Sequence, residues 1–266
     1  MADLPGSTRS ASLGGAGAAL VGDAGAVFAN PAGIATIRRI AVEGSYERYL
    51  AGTTLSSAAL ALRVGRFDWG VGAQALEYPA GPTYQPTDLL GLTTLVFRYG
   101  LLAAGTSFKY VREAISGAPA DAWAGDAGVT IAVFDIMALG ASVQNLGGDL
   151  GGGAHLVRRG RVGFTMNYVD PQGTARFLTT FEGQWPAGER ARFVAGAEGG
   201  IVARGVGIVG RVGATGGGGG HSQPGNGSPV TAGVGVELGR VHLDYAYQSF
   251  DPPAGGRHRF GVRWTP

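Results

Sequence analysis

The sequence predicts an all-β protein, a transmembrane antiparallel β-barrel of about 14 strands with a short helical plug segment at its N-terminus. Three observations lead to this prediction. Apolar and polar residues alternate with a period of two in one segment after another, from about residue 40 to the last residues. Successive side chains of a strand point to opposite faces, so each segment has one face suited to an apolar environment and one face suited to a polar environment. Short and long connections alternate between the segments, and no apolar run reaches the roughly 18 residues of a transmembrane helix.

The composition agrees with a membrane barrel and excludes several other classes of protein. Charged residues make up 15% of the 266 residues, below the roughly 25% that is usual in soluble domains. A net charge of +2, with arginines dispersed along the chain, argues against nucleic-acid binding. The absence of cysteine excludes disulfides, thiol nucleophiles and thiolate metal sites.

Residues 1–38 are predicted to be a plug or lining segment inside the barrel mouth, and residues 39–266 are predicted to be the barrel. Ser12–Leu20 consists mostly of small residues, so it fits a confined space. With few large apolar groups of its own, the segment should owe its order to a polar lumen wall. Asp23 is the expected N-cap of a short helix at 24–29. The alternative is an N-terminal arm on the surface.

The turn Asn30-Pro31-Ala32-Gly33 is the strongest single candidate site in this segment. Pro31 disfavours a helical conformation at Asn30, so the short helix should end there. The Asn30 side chain can bond its own backbone, which favours a structural turn that fixes the plug. The alternative is a gate on a lateral or luminal path.

The start of the chain lacks a secretory signal. Met1–Pro5 has neither the basic start nor the apolar core of a signal peptide. We therefore expect a chain that begins near a mature N-terminus, after removal of a signal peptide, and that resides in the bacterial outer membrane. A cytosolic start is the alternative.

The predicted strands have about the 9–11 residues that a tilted membrane strand needs. Segments 39–49, 53–64 and 90–99 alternate poorly, so the sequence leaves their register open. An even number of strands places both termini at the end of the short turns. Gly216–Gly220 begins a predicted mobile loop. The predicted strands are 39–49, 53–64, 66–78, 90–99, 101–113, 121–133, 135–146, 158–169, 175–185, 190–199, 204–214, 228–238, 240–250 and 256–265.

The two faces of these strands predict a lipid-facing surface and a lumen. A soluble β-sandwich would also alternate, but polar faces rich in Gly and Ser with isolated charges suit a lumen better. The residues expected to face lipid include Phe108, Phe164, Phe177, Tyr245 and Phe260. Aromatic residues expected in the interfacial girdles are Tyr49, Tyr78, Tyr110, Trp123, Tyr168, Trp185, Phe250 and Trp264.

Charged side chains on the inward faces are predicted to form a salt-bridge network that holds lumen and plug together. A ring for substrate binding or selectivity is the alternative. His242 and Asp244 are two residues apart on one face, as any polar lumen produces, and His258 falls on the outward face. No spacing fits a catalytic set, a metal site or a phosphate loop, so we expect no enzyme, metal or cofactor. The predicted network is Lys109, Asp126, Arg161, Arg192, Glu198, Arg211, Glu237, His242, Asp244, Arg259 and Arg263.

Short motifs spread along nearly the whole chain share the order and spacing of one known family. They are Gly14-Gly15-Ala16, Asp23–Phe28, Asn30–Gly33, Ser107–Glu113, Asp126–Gly128, Val143–Gly147, Leu243–Tyr247 and Gly256–Phe260. On these motifs the chain resembles the PorV/PorQ family of outer-membrane proteins, which are relatives of the FadL-type channels.

The resemblance implies a barrel with an inserted N-terminal segment and a role as a partner in a secretion or outer-membrane assembly machine. The partners it implies, besides membrane lipid, are other outer-membrane or secreted proteins. The alternative is a FadL-like channel for hydrophobic or small molecules, with a hydrophobic ligand. The chain departs from the family by ending at Trp264-Thr265-Pro266 and by its short outer loops, and both departures weigh against the secretion role.

Overall fold

The computed structural model describes residues 4–48, 52–79, 86–114, 119–134, 136–170, 173–217, 227–250 and 255–266. Tyr49 and most of the predicted loop after Gly216 lie outside these residues. No helix in the described residues is long and apolar enough to cross a membrane.

The described residues form a closed antiparallel barrel, a small hairpin and an N-terminal segment, residues 4–38. The strands are β1 (Ile40–Arg48), β2 (Thr54–Val64), β3 (Phe67–Glu77), β4 (Thr87–Tyr99), β5 (Leu102–Glu113), β6 (Ala120–Val133), β7 (Met137–Gly147), β8 (Asp149–Gly151), β9 (Ala154–His155), β10 (Arg159–Val169), β11 (Ala175–Pro186), β12 (Arg192–Ala203), β13 (Val206–Gly217), β14 (Gly227–Leu238), β15 (Val241–Phe250) and β16 (Gly256–Trp264).

The barrel closes because its first and last strands pair. β1 pairs with β2 on one side and with β16 on the other, where Val42 lies opposite Trp264. β7 pairs directly with β10, because β8 and β9 form a separate hairpin in the connection between them. The other barrel strands pair with their neighbours in sequence, so the predicted 14-stranded antiparallel barrel is confirmed.

The predicted strands all correspond to barrel strands, with differences at a few ends. β4 begins at Thr87, earlier than predicted, and β12 continues to Ala203, beyond its predicted end. β12 continues because Arg204 and Gly205 reverse the chain in two residues, with φ of 54° and 82°. Positive φ at both central residues is the geometry of a tight hairpin turn that follows the twist of the sheet. The connection 147–157 was not predicted to contain β8 and β9.

The two ends of the barrel differ in their connections. Two-residue turns lie at the end that also holds the start of β1 and the end of β16, and we call it the short-turn end. The opposite end is the long-loop end. The predicted placement at the short-turn end therefore holds for the first and last strands. It is wrong for the N-terminal segment, which begins near the long-loop ends of β1 and β16, where the carbonyl of Pro5 accepts a hydrogen bond from Arg259. The two-residue turns are Gly65-Arg66, Gly100-Leu101, Arg204-Gly205 and Gly239-Arg240.

The outward face is apolar, as predicted. Phe108, Phe177 and Phe260 are 56%, 50% and 57% exposed, and Phe164 and Tyr245 share their outward orientation. The girdle prediction is wrong for two residues. Tyr78 turns towards the lumen, where its hydroxyl donates to Oδ2 of the buried Asp88 at 2.9 Å. Phe250 faces the lumen on β15 and packs under the guanidinium of Arg257, 5.8 Å from the centre of its ring.

The N-terminal segment contains three short helices. Helix α1 spans Thr8–Ser12, and the Ser7 side chain caps it by accepting a hydrogen bond from the Ser10 amide at 3.1 Å. The helix predicted at 24–29 is a 3-10 helix over Ala24–Phe28. A second 3-10 helix over Pro31–Thr36 was not predicted.

Inward-facing glycines let this segment lie directly against the backbone of the strands. A Cβ atom on Gly128 would lie 2.0 Å from Oδ1 of Asn30, and one on Gly140 would lie 1.8 Å from the carbonyl oxygen of Ala18. Any larger side chain would displace the segment. The ten glycines of this glycine belt are Gly70, Gly72, Gly105, Gly128, Gly140, Gly163, Gly196, Gly213, Gly233 and Gly261.

One side of the lumen is apolar rather than polar. Val27, Phe28, Ile34 and Ile37 of the N-terminal segment pack there against inward residues of β2, β4, β5 and β6. The prediction that a polar wall orders the segment is therefore wrong for this side, and burial of apolar surface stabilises the contact. It also explains why 53–64 and 90–99 alternate poorly, because apolar residues occupy both faces. We call the strand residues the apolar wall: Ala59, Ala61, Leu90, Leu92, Val96, Ala103, Val111, Ala122 and Ala124.

Candidate functional site

The candidate site is the N-terminal segment together with the inner wall that holds it, and Asn30 lies at its centre. The Asn30 amide nitrogen donates to the carbonyl oxygen of Ala18 at 2.6 Å. It also lies 3.2 Å from the carbonyl oxygen of Val129 and 3.2 Å from Oγ1 of Thr130. Its side-chain oxygen accepts from the amide of Ala32 at 3.0 Å. The buried Asn30 side chain thus joins two parts of the segment to β6.

The backbone around Asn30 follows the sequence prediction. Asn30 is extended, with φ −147° and ψ 116°, so the first 3-10 helix ends before it. Pro31 begins the second 3-10 helix, and Asn30 caps it. The carbonyl of Gly33 accepts from the amide of Gly22 at 3.0 Å, which ties the turn to an earlier part of the segment. The four predicted residues therefore form a structural turn whose ends are both anchored.

Six charges, four of them buried and two partly buried, form a closed ring in the lumen, with cations and anions in alternation. Arg9 lies 2.9 Å from Glu198 and 2.8 Å from Asp23. Arg211 lies 2.6 Å from Glu198 and 2.6 Å from Asp244. Arg263 lies 2.7 Å from Asp244 and 2.6 Å from Asp23, which closes the ring. In order, the ion ring is Arg9, Glu198, Arg211, Asp244, Arg263 and Asp23.

Two members of the ion ring come from the N-terminal segment, and one of them is Asp23, which occupies the predicted N-cap position without capping through its side chain. The described residues show no capping hydrogen bond from its side chain, because both oxygens are bound to arginines. Burial opposes ionisation of Asp23, but Arg263 and Arg9 outweigh burial and hold the pKa of its carboxyl well below its usual range. Burial likewise opposes the charge of Arg9, and Glu198 and Asp23 raise its pKa above the ordinary value.

Lys109 and Asp126 form a second, separate group in the wall. Lys109 Nζ lies 2.9 Å from Oδ1 of Asp126 and 2.6 Å from Oδ1 of Asn145. Asn145 has φ of 60°, and its amide donates to Oδ1 of Asp126 at 2.9 Å. The register of β6 and β7 shifts at this point, between Gly125 and Ala127. The pair therefore satisfies backbone groups that the shifted ladder leaves free.

Arg161 forms a third group with the segment. Its Nε donates to Oε1 of Glu182 at 2.7 Å, and its Nη2 donates to the carbonyl of Gly15 at 2.6 Å. Oε2 of Glu182 accepts from the amides of Gly17 and Ala18, both at 2.7 Å. This pair supplies the hydrogen bonds that the irregular backbone of the segment cannot make within itself.

The remaining predicted residues lie near the two ends of the barrel. Glu237 contacts Arg176 and lies 3.3 Å from Nδ1 of His242, towards the short-turn end. Arg192 donates to Glu189 at 2.8 Å at the long-loop end.

Arg259 lies 2.6 Å from Glu47 and donates to the carbonyls of Pro5 and Ser7 at 2.6 and 3.2 Å. The single predicted network is therefore several groups, each with its own contacts.

Sequence reasoning missed several residues that bind the segment, including Arg9, Glu47 and Glu182. One signal was available, because Arg9 and Asp23 are the only charged residues between positions 4 and 37. Two opposite charges in a segment that otherwise consists of uncharged residues indicate that each charge binds a buried partner of opposite sign. In the part of the chain that the structure describes, no group of three or more His, Asp or Glu residues could hold a metal ion.

The barrel is similar to solved outer-membrane channels. The toluene transporter TbuX of Ralstonia pickettii matches with a TM-score of 0.67 and 14% identity, over 97% of this chain and 98% of that chain. A FadL homologue of Pseudomonas aeruginosa matches with a TM-score of 0.60 and 12% identity, over 97% and 98%. The toluene transporter TodX of Pseudomonas putida matches with a TM-score of 0.59 and 11% identity, over 98% and 97%. The chain has a FadL-like fold.

At these identities the likeness shows the fold alone. No protein-family model matches the sequence, and no curated protein matches it significantly. The FadL-like part of the expected resemblance is confirmed at the level of fold. The PorV/PorQ assignment is not confirmed, and the secretion role that it implies has no support.

Proposed function

We propose that this chain is a channel of the bacterial outer membrane that admits hydrophobic or small molecules past its N-terminal segment. The observation that carries the proposal is the apolar wall. A pore for polar solutes needs a wet lumen, and it gains nothing from Leu90, Leu92 and Val96 on an inner face. A hydrophobic solute can replace the apolar side chains of the segment against that wall at little cost in buried area.

Two further points support a channel rather than a secretion partner or an enzyme. TbuX and TodX, which share the fold, are described as toluene transporters, whereas the secretion role has no such support. The charged groups in the lumen bind the segment or one another, as the ion ring does, and their geometry suits fixing the segment rather than a reaction.

The test is uptake of radiolabelled toluene by cells of a channel-deficient host that express the chain. Whole cells are needed because hydrophobic solutes cross a phospholipid bilayer freely but cross a lipopolysaccharide leaflet slowly. We expect faster uptake than in cells without the chain. Leu92→Asn places an amide on the apolar wall that a hydrocarbon cannot bond, so uptake should fall, by about fivefold or more.

Leu95→Asn is the matched control, because Leu95 lies on the same strand but faces outward and is 54% exposed. Uptake by this variant should equal that of the unchanged chain. Equal uptake with and without the chain, at confirmed barrel levels in the outer membrane, would refute the proposed function.

A further inference from the structure

The short-turn end of the barrel carries exposed charges of one sign. Among the described residues, the exposed charged side chains at this end are five arginines, and none is Asp or Glu. We call them the basic arc: Arg38, Arg39, Arg66, Arg204 and Arg240. The long-loop end is balanced, with three exposed arginines and three exposed carboxylates in the described residues. These are Arg48, Arg158, Arg190, Glu77, Asp121 and Asp149.

The charge of the basic arc is not offset by neighbouring carboxylates. None of its five guanidinium groups forms an ion pair or a hydrogen bond with another described residue. The buried Asp68 at this end already binds two other arginines, Arg63 at 3.0 Å and Arg98 at 2.7 Å. The buried Glu237 contacts Arg176. The arc therefore keeps its charge and can bind an anion from outside the protein.

The basic arc is continuous along one side of the rim. The amide of Gly239 donates to the carbonyl of Gly205 at 3.1 Å, which joins the β12–β13 turn to the β14–β15 turn. The carbonyl of Arg240 accepts from the amide of Thr265 at 3.1 Å, which joins the second turn to the end of β16. β16 pairs with β1, and β1 pairs with β2, so the start of β1 and the β2–β3 turn continue the row.

Apolar side chains place the arc at the level of the lipid headgroups. Val64 and Phe67, both exposed on the outward face, flank the turn of Arg66, and Val206 and Leu238 flank the next turns in the same way. A strand rises at most about 3.4 Å per residue, so a two-residue turn ends within roughly 7 Å of the apolar band. The headgroup layer is about 5–8 Å thick on each side of a bilayer. The guanidinium groups therefore lie among the headgroups rather than beyond them.

We propose that the basic arc binds the phosphate groups of anionic phospholipids, of the phosphatidylglycerol type, in the leaflet at the short-turn end. In an outer-membrane barrel the short turns face the periplasm, so this is the periplasmic leaflet. Guanidinium groups bind phosphate through charge-assisted hydrogen bonds. A zwitterionic phospholipid also brings an ammonium group, and the described part of the arc has no exposed carboxylate to receive it. An acidic protein would have to reach arginines that lie at headgroup depth.

The test is mass spectrometry of the intact, delipidated chain in a neutral detergent, which counts bound lipids. Dioleoyl phosphatidylglycerol is compared with dioleoyl phosphatidylethanolamine, which has the same acyl chains and a phosphate but no net charge. We expect phosphatidylglycerol to bind at least about fivefold more tightly, and to bind more weakly as the ammonium acetate concentration rises. Equal affinity for the two lipids would overturn the proposal.

A triple variant locates the site. Arg66→Gln, Arg204→Gln and Arg240→Gln together remove one charge from each two-residue turn of the arc. Each basic residue near an anionic lipid surface strengthens binding by roughly fivefold. The affinity for phosphatidylglycerol should therefore fall by about fivefold or more, because each bound lipid loses at least one arginine.

A second triple variant is the matched control. Arg48→Gln, Arg158→Gln and Arg190→Gln together remove the same charge from exposed side chains at the long-loop end. This control should bind phosphatidylglycerol like the unchanged chain. An equal loss of affinity in both triple variants would show that net charge alone attracts the lipid, and it would overturn the proposed site.

Two further measurements keep the result decisive. The mobility shift of unheated samples on gels checks that each variant keeps its barrel. If the arc variant does not form one, Arg38→Gln with Arg39→Gln replaces it, against Arg48→Gln with Arg158→Gln. Poly-L-glutamate, titrated under the same conditions, represents an acidic protein partner. Binding of polyglutamate that depends on the arc, with phosphatidylglycerol binding that does not, would overturn the lipid site. Solute uptake does not enter these measurements, so the channel function is tested separately.

Discussion

At the scale of single residues, the lumen is shaped by side chains that are absent or very short. The glycine belt brings the segment against the strands, and neighbouring hydroxyl groups bond its backbone. Oγ1 of Thr231 donates to the carbonyl of Ser12 and accepts from the amide of Gly14, both at 3.0 Å. Oγ of Ser142 donates to the carbonyl of Ala29 at 2.9 Å. A segment with little regular structure needs such partners, because buried backbone groups must be bonded.

Gly128→Ala should loosen the segment, because the new methyl group would overlap Oδ1 of Asn30. Arg9 is the only Lys or Arg between positions 4 and 37, so trypsin can cut this part of the chain only there. We expect Gly128→Ala to be cut after Arg9 faster than the unchanged chain, measured by mass spectrometry of the N-terminal peptide.

Gly210→Ala is the matched control, because a Cβ at Gly210 meets nothing within 4 Å in the described residues. It should be cut at the rate of the unchanged chain. Equal rates for Gly128→Ala and Gly210→Ala would contradict the close packing of Asn30 on β6.

At the scale of secondary-structure elements, the sequence predicted the features that are determined by residues close together along the chain. The period of two identified the barrel strands and the outward face of residues such as Phe108, because side-chain direction alternates within each strand. The pattern was weak in β4, because its inward Leu90 and Leu92 belong to an apolar cluster with residues far away in sequence, in the N-terminal segment and at Leu156.

The site was predictable only in part, for the same reason. Asn30 and Pro31 define a local turn, and the turn is as predicted. The ion ring depends on strand register and on the path of the segment. The alternation along each strand therefore identified Glu198 and Arg211 as inward-facing residues. It could not predict that Glu198 binds Arg9 as well as Arg211.

Arg9→Gln tests the ion ring as the link between the segment and the strands. Glu198 and Asp23 would each lose one arginine and keep another, so we expect a cost of about 1–3 kcal/mol. Amides of residues 7–33 should then exchange hydrogen roughly 5- to 150-fold faster, whereas the barrel amides should not change. Arg66→Gln, in an exposed two-residue turn, is the control. Faster exchange throughout the barrel would show that the ring holds the sheet rather than the segment.

At the scale of the whole molecule, the barrel and the N-terminal segment inside its lumen have different sources of stability. Each strand of the barrel is paired on both sides, so the sheet has no free edge and its backbone is satisfied without the segment. The segment depends on the wall for its apolar contacts, its hydrogen bonds and its ion pairs. The barrel should therefore persist when the segment is removed, and the segment should not fold alone.

Deleting residues 7–33 tests this division of roles. The shortened chain should still give β-rich circular dichroism and run faster on gels when unheated, because the closed ladder is intact. Its single-channel conductance in a planar bilayer should rise from near zero to a measurable level, because the deletion removes the α1 helix, the Asn30 turn and two members of the ion ring from the lumen. Gly210→Ala should conduct like the unchanged chain. A folded deletion variant with unchanged conductance would mean that the segment does not close the lumen. The same result would exclude a gating role for the Asn30 turn.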